Sequence, residues 1–196
     1  RLNDKIETFL SPRLYGNHQF YNAGAAITAS KTQTKFKLHP NLISMGVSKT
    51  FWPARMQKLD SGKLIKIVNK NFEIWLDGGH NEDASEMIYE NLKNWKESKV
   101  FLIFGMINGK DPKTFLKKLI KKIEFLQIVP LQNFSFIPPS QIKKDFSSFK
   151  QIIRSSESIE ESLVYIKNKF QSGKIVICGS LYLAGEVLRK DNSKVS

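Results

Sequence analysis

A single cysteine, Cys178, among 196 residues excludes an internal disulfide framework. That usage fits a reducing compartment, and the cytoplasm is the expected location. Cys178 ends the apolar run Lys174-Ile-Val-Ile-Cys, so a small core residue is expected there rather than a reactive thiol. No apolar stretch approaches the roughly 20 residues of a membrane-spanning helix. The most apolar runs, 100–104 and 175–178, have the length of buried strands, and no membrane partner is expected. Zinc-finger spacing, a basic-region heptad pattern and an RNA-binding aromatic motif are all missing. Acidic residues are scarce: 18 Asp and Glu against 31 Lys and Arg leave a net charge of +13. Such an excess invites a nucleic-acid reading. The lysines argue against it, because Lys117, Lys118, Lys121 and Lys122 interleave with Leu116, Leu119, Ile120 and Ile123 as on an ordinary solvated helix face. No nucleic-acid partner is expected. The charge would instead draw an anionic small substrate.

What is present supports one domain with a sizeable core and a smaller appended piece, since 41% of residues are hydrophobic. The chain opens at Arg1 without an initiator methionine, and is expected to be part of a larger protein. Residues 1 to about 57 read as helical and loop-like. Within them 15–30 carries Ala23, Ala25, Ala26 and Ala29, a small-residue helix suited to close packing. Trp52-Pro53 breaks that pattern. Beyond it the spacing predicts strands at 64–68 and 72–76 across the polar turn 69–71, then a helix at 83–97. A strand follows at 100–104. Asp111 and Pro112 open the next helix as N-cap and first residue. Further strands are expected at 126–129 and 150–153, with no assignment for 132–148. Ser158-Ile-Glu-Glu161 has capping-box spacing and starts a helix; a last strand, 175–178, and a last helix, 181–189, close the chain. Alternation of this kind implies an α/β fold, a Rossmann-like, mostly parallel sheet flanked by helices. Ligands of such sheets bind beyond the carboxyl ends of the strands, which selects the loops 77–81, 105–111 and 179–182.

Four segments carry chemistry, and each has a plain structural alternative. In Asp77-Gly78-Gly79-His80-Asn81, the glycines permit a tight strand-to-helix turn, and the helix N-terminus favours anions. Asp77 would accept from hydroxyls or an amine, and His80 would donate to a phosphate or carboxylate; alternatively Asp77 and Asn81 merely cap. In Phe51-Trp52-Pro53-Ala54-Arg55, a rigidly held Arg55 would clamp phosphates bidentately, unless it only stacks on Trp52. His18 and Asn22 stand at i and i+4, and an Asn amide has the donor and acceptor that an adenine edge requires. Both are equally read as interface polar residues. In Gly179-Ser180-Leu181-Tyr182, the Ser180 hydroxyl and backbone suit an α-carboxylate, or else form a helix N-cap beside a core aromatic.

Taken in order, these segments are a Gly-x-His-Gln-x-x-Asn-Ala helix, Trp-Pro-Ala-Arg, Asp-Gly-x-His-Asn and Gly-Ser-Leu-Tyr-Leu-Ala-Gly-Glu-Val. Their wording resembles the folylpolyglutamate synthase / dihydrofolate synthase family of the Mur ligase superfamily, from about residue 14 to 188. The resemblance implies the C-terminal portion of an ATP-dependent ligase. It would add L-glutamate to folate, dihydropteroate or both through an acyl phosphate, with ATP and Mg2+ as cofactors. Residues 1–57 would end the central ATP-binding domain and include the hinge, and 58–196 would form a Mur-ligase-like, glutamate-binding domain. By the same resemblance Asn22, Arg55 and Asp77 would contact ATP, while His80, Ser180 and Tyr182 would lie toward the substrate.

No catalytic residue and no metal ligand is assigned. The chain has no Gly-x-x-x-x-Gly-Lys-[Ser/Thr] loop, so the 196 residues alone are expected to be inactive without a phosphate-loop domain, their expected partner. The metal ligands are expected in that missing N-terminal part. Where the family shows Asp-Lys-Asp, this sequence has Gly109-Lys110-Asp111, which leaves the role of Lys110 open. A monomer is expected. The alternatives are a Mur-type ligase of cell-wall precursors and a basic, non-catalytic nucleic-acid-binding module.

Overall fold

The computed structural model describes residues 6–191. The chain divides into two compact units between Pro53 and Ala54, inside the Trp-Pro-Ala-Arg segment. The first unit holds α1 (His18–Thr32) and α2 (Pro40–Lys49). Pro40 takes the first turn of α2, where a missing N–H costs nothing, and a His39 ring nitrogen accepts from the Asn41 amide. The expected helix at 15–30 is there. Its small residues, however, are not closely packed among the described residues: α1 buries only Gln19, and Ala25, Ala26 and Ala29 are exposed.

The second unit is a six-stranded sheet in the order β1-β2-β6-β3-β4-β5. Its strands are β1 (Gln57–Leu59), β2 (Phe72–Leu76), β3 (Val100–Phe104), β4 (Phe125–Ile128), β5 (Ile153–Ser155) and β6 (Gly173–Cys178). Only β1 is antiparallel; the other five run parallel. The sheet is therefore of the mostly parallel, helix-flanked type expected. Side chains alternate between faces. Leu102, Phe104, Val176 and Cys178 pack on one face under α3 (Glu82–Asn94), α4 (Pro112–Leu119) and α5 (Pro139–Asp145). Phe101, Ile103, Ile175 and Ile177 face the other way, toward α6 (Ile159–Lys169) and α7 (Leu181–Asp191). The chain steps from β2 to β5 with helices on the first face. It then returns through α6 on the second face to insert β6 between β2 and β3, as right-handed crossovers require.

Caps hold the helices where the sequence places them. Asp111 Oδ1 accepts from the Thr114 amide at 3.0 Å, and Ser158 Oγ from the Glu161 amide at 3.1 Å. Glu161 reaches back to the amide of Glu157, one residue beyond the capping-box target, Ser158.

Two strands fall elsewhere than expected. Residues 61–68 are turns, because Leu64 and Val68 bury their side chains four residues apart and the Leu64 amide donates to the buried Asp191 carboxylate at 2.7 Å. The antiparallel partner of β2 is instead β1. Residues 150–152 belong to a 3-10 turn, Ser147–Ile152, and β5 begins only at Ile153. Among the described residues no helix is long and apolar enough to cross a membrane.

Candidate functional site

The carboxyl ends of β2, β6 and β3 are neighbours in the sheet, and the hydrogen-bond ladder continues past them into their loops. Asp77 N donates to Ile177 O at 2.9 Å, Gly179 N to Gly79 O at 3.1 Å, and Gly105 N to Cys178 O at 3.3 Å. Three segments far apart in sequence, 77–81, 105–111 and 179–182, thus form one rim. Close packing fixes their register. A Cβ on Gly79 would lie 2.4 Å from the Ala84 Cβ, so only glycine lets the first loop sit against the start of α3. Gly179 has φ +109, and a Cβ there would meet the Phe104 ring at 2.6 Å.

Asp77 is 6% exposed and organises the rim. One carboxylate oxygen accepts from the Met56 amide at 2.9 Å and the other from the Gly79 amide at 2.7 Å. The first bond fixes the turn that carries Arg55. That turn is strained, because Ala54 and Met56 adopt φ +56 and +43, and such conformations cost on the order of 1–3 kcal/mol each. Further bracing comes from Gly78 N donating to Ala54 O at 2.8 Å and Ala54 N to Gln57 Oε1 at 3.0 Å. Arg55 itself is exposed.

His80 is half-buried, and Asn81 caps α3 by accepting from the Ala84 amide at 3.0 Å. The first turn of α3 keeps backbone N–H groups beside His80, but Glu82 and Asp83 in the same turn offset the positive end of the helix, so His80 itself is the group there suited to an anion. Ser180 is 2% exposed at the start of α7, and its Oγ accepts from the Tyr182 amide at 3.1 Å, leaving the hydroxyl proton to donate. Cys178, two residues earlier at the end of β6, is fully buried, and burial, with the nearby Asp77 charge, pushes its thiol well above its ordinary range. It is a core residue, as the sequence indicates.

The structure thus brings Asp77, His80, Ser180 and Tyr182 to one rim, with the Arg55 turn bonded to it. Asn22 belongs to the first unit, on α1, where its amide donates to Gln19 Oε1 at 3.1 Å; the Gln19 amide in turn lies 2.9 Å from His18 Nε2. Sequence reasoning missed Phe134. It lies in the loop 130–137, which zips to 105–108 through Ile137 N to Met106 O and Asn108 N to Ser135 O. Asn133, at φ +63, turns the chain there, and the Phe134 ring packs against Tyr182, tilted by 32° with centroids 3.9 Å apart. Both rings remain substantially exposed, so they add an apolar wall to an otherwise polar rim. The aromatic within Asn133-Phe134-Ser135-Phe136 is the only sequence signal, and it has no period to single it out. Among the described residues no three His, Cys, Asp or Glu side chains come together as a metal site.

The family model described as "Dihydrofolate synthetase, C-terminal domain" matches residues 57–190. The chain is 27% identical to the dihydrofolate synthetase of Saccharomyces cerevisiae, over 92% of this chain and 45% of that protein. It is 29% identical to the folylpolyglutamate synthase of Lacticaseibacillus casei, over 89% of this chain and 38% of that one. The chain thus spans less than half the length of these relatives. Its fold is shared by a crystal structure of a bifunctional folylpolyglutamate synthase/dihydrofolate synthase with Mn, AMPPNP and L-glutamate bound: TM-score 0.77 at 19% identity, covering 96% of this chain and 43% of that one. A family model that takes in the whole sheet and the rim loops places the chain: it belongs to the folylpolyglutamate synthase / dihydrofolate synthase family, of which it carries the C-terminal domain.

Proposed function

We propose that this chain supplies one wall of the active cleft of an ATP-dependent ligase that joins L-glutamate to folate, dihydropteroate or both. The observation that carries the reading is the single rim on which Asp77, His80 and Ser180 sit, two family-type loops, 77–81 and 179–182, tied edge to edge by backbone hydrogen bonds. In the proposed reaction a substrate carboxylate takes the terminal phosphoryl group of ATP to give an acyl phosphate and ADP. The glutamate amine then attacks the acyl carbon, phosphate leaves with the bonding pair, and the amine proton passes to solvent or a nearby base. Such chemistry depends on positioning and on neutralising phosphate charge.

Each residue has a task that its setting supports. Arg55, presented by a strained and braced turn, offers a planar pair of donors to phosphate oxygens. Asp77 holds that turn and the Gly78-Gly79 loop, and so acts on the nucleotide chiefly by position. His80 faces an anion, while the Ser180 hydroxyl donates to a carboxylate of glutamate. Asn22 would read adenine from the first unit. ATP and a divalent cation such as Mg2+ are the cofactors this reading requires. Among the described residues no cation site forms, so no step is routed through a metal held by this chain. The net charge of +13 favours a nucleic-acid-binding module, but the rim loops tied together at the strand ends oppose it, and no described residue favours a Mur-type cell-wall ligase.

The test is an assay of the complete protein containing this chain, following ADP release with folate or dihydropteroate as acceptor. Release should require L-glutamate and should fall by about 100-fold or more in kcat/KM with Arg55→Ala. The 196 residues alone should release none. Absence of glutamate-dependent ADP release with either acceptor would remove the ligase reading, and unchanged turnover with unchanged ATP affinity in Arg55→Ala would remove Arg55 from it.

A further inference from the structure

The basic excess of this chain is not spread evenly. Lys110, Lys113, Lys117 and Lys121 recur at steps of three or four residues from the rim loop 105–111, along α4 and into the turn that follows it. All four are exposed, and none makes a direct ion pair among the described residues. The segment does pair a lysine where an acid is within reach, since Lys118 binds Glu86 at 2.5 Å. Those four therefore form a stripe without an ion-pair partner among the described residues, one charge per helical turn, running from the rim toward the amino-terminal ends of the strands, with the exposed Lys122 beside its last member.

Local rules disfavour that stripe. Like charges at i and i+4 repel, as at Lys113, Lys117 and Lys121. Lys117 and Lys121 gain something from the negative end of the helix, but Lys110 and Lys113 stand at its positive end. Asp111 lies between those two and senses Lys113, yet its carboxylate is committed to the Thr114 amide and hydroxyl, which hold it below its ordinary range. A row of cations that begins at a substrate rim and opposes its own helix is suited to an extended anion.

Resting on the ligase reading above, we propose that this stripe holds the γ-linked polyglutamate tail of the substrate. Each γ-linked residue carries one free α-carboxylate. Its repeat is roughly 6 Å by ordinary bond lengths, close to the rise of about 6 Å over four helical residues. A tail laid along α4 would place successive carboxylates beside successive lysines while its end stays at the rim. Exposed pairs are individually weak, so selectivity comes from several acting together, and a single free glutamate gains little.

The test measures binding of γ-linked tetraglutamate to this chain at low ionic strength, beside L-glutamate and a single-stranded oligonucleotide of equal charge. The variant Lys113→Gln/Lys117→Gln/Lys121→Gln takes away three of the stripe's four charges with good helix formers. Lys66→Gln/Lys70→Gln/Lys167→Gln removes equal charge elsewhere. The tetraglutamate should bind more tightly than glutamate and weaken with added salt. It should lose about fivefold or more in affinity in the stripe variant only. In the complete enzyme the same variant should raise KM for a tri- or tetraglutamate substrate and leave that for the monoglutamate unchanged. No binding, equal loss in both variants, or tighter binding of the oligonucleotide would each overturn the proposal. Tail binding without any ligase activity would sink the ligase reading and keep the stripe; ligase activity with a KM indifferent to the stripe would do the reverse.

Discussion

Asp77 shows how one side chain serves both fold and site. Its oxygens accept from two buried backbone amides, Met56 and Gly79, and a buried amide left without an acceptor costs about 1–3 kcal/mol. Asp77→Ala should therefore destabilise the chain by roughly 2–5 kcal/mol, read as a lower urea midpoint at unchanged slope. Asp77→Asn keeps one acceptor oxygen and should recover part of that loss. A midpoint equal to wild type in Asp77→Ala would show that the 54–57 turn is held by something else. The sequence marks Asp77 as a strand-tip residue before two glycines, and strand-end rules lead to it directly. It does not reveal that the acceptors are spent on Met56, 21 residues earlier in the chain, because that bond depends on β1 lying antiparallel beside β2. Phe134 was hidden for a related reason: its partner Tyr182 comes from a remote segment, and an irregular loop offers no period to read.

At the scale of elements, runs such as 100–104 and 175–178 were legible because strands buried on both faces must be continuously apolar. Edge elements were not. Lys58, Glu73 and Lys174 explain part of this, since they form an ion-paired row across β1, β2 and β6 whose members read in sequence as separate solvent-facing charges. Glu73 accepts from Lys58 at 2.9 Å, from Lys174, and from Trp75 Nε1 at 3.1 Å, while Lys174 lies over the Trp95 ring. Burial works to raise the Glu73 carboxyl. The three donors outweigh it and hold the group at about 2, against an ordinary 4.5. A carboxyl depressed in the folded state stabilises fully above its unfolded value and loses that contribution as pH falls toward the folded one. The row should therefore contribute on the order of 1–2 kcal/mol at neutral pH, allowing for partial exposure, and lose it between about pH 4.5 and 2. Denaturant titrations at stepped pH should show that loss in wild type and a shallower one in Glu73→Gln. Equal acid dependence of the two would mean that Glu73 is not the group responsible.

For the molecule as a whole, the distribution of buried apolar side chains is lopsided. Both core clusters draw all their members from Ala54 onward, one on each face of the sheet. Among the described residues before it, Ile43 is the single hydrophobic residue in the buried class, and Phe20, Tyr21, Phe36, Leu42 and Trp52 are exposed. Hydrophobic burial is the main force opposing chain entropy. A polypeptide of residues 54–196 should therefore fold by itself, with a cooperative urea transition, native near-ultraviolet dichroism and slow amide exchange in β3 and β6. A polypeptide of residues 1–53 should show no cooperative transition, because two helices burying one isoleucine cannot offset the ordering of some fifty residues. If 54–196 lacked fixed tertiary structure while the full chain possessed it, the first unit would have to supply stabilisation that the two clusters do not contain. A folded 54–196 would also permit the tetraglutamate measurement to be repeated on it. The lysine stripe lies wholly within that segment, so its affinity for the tail should survive removal of residues 1–53.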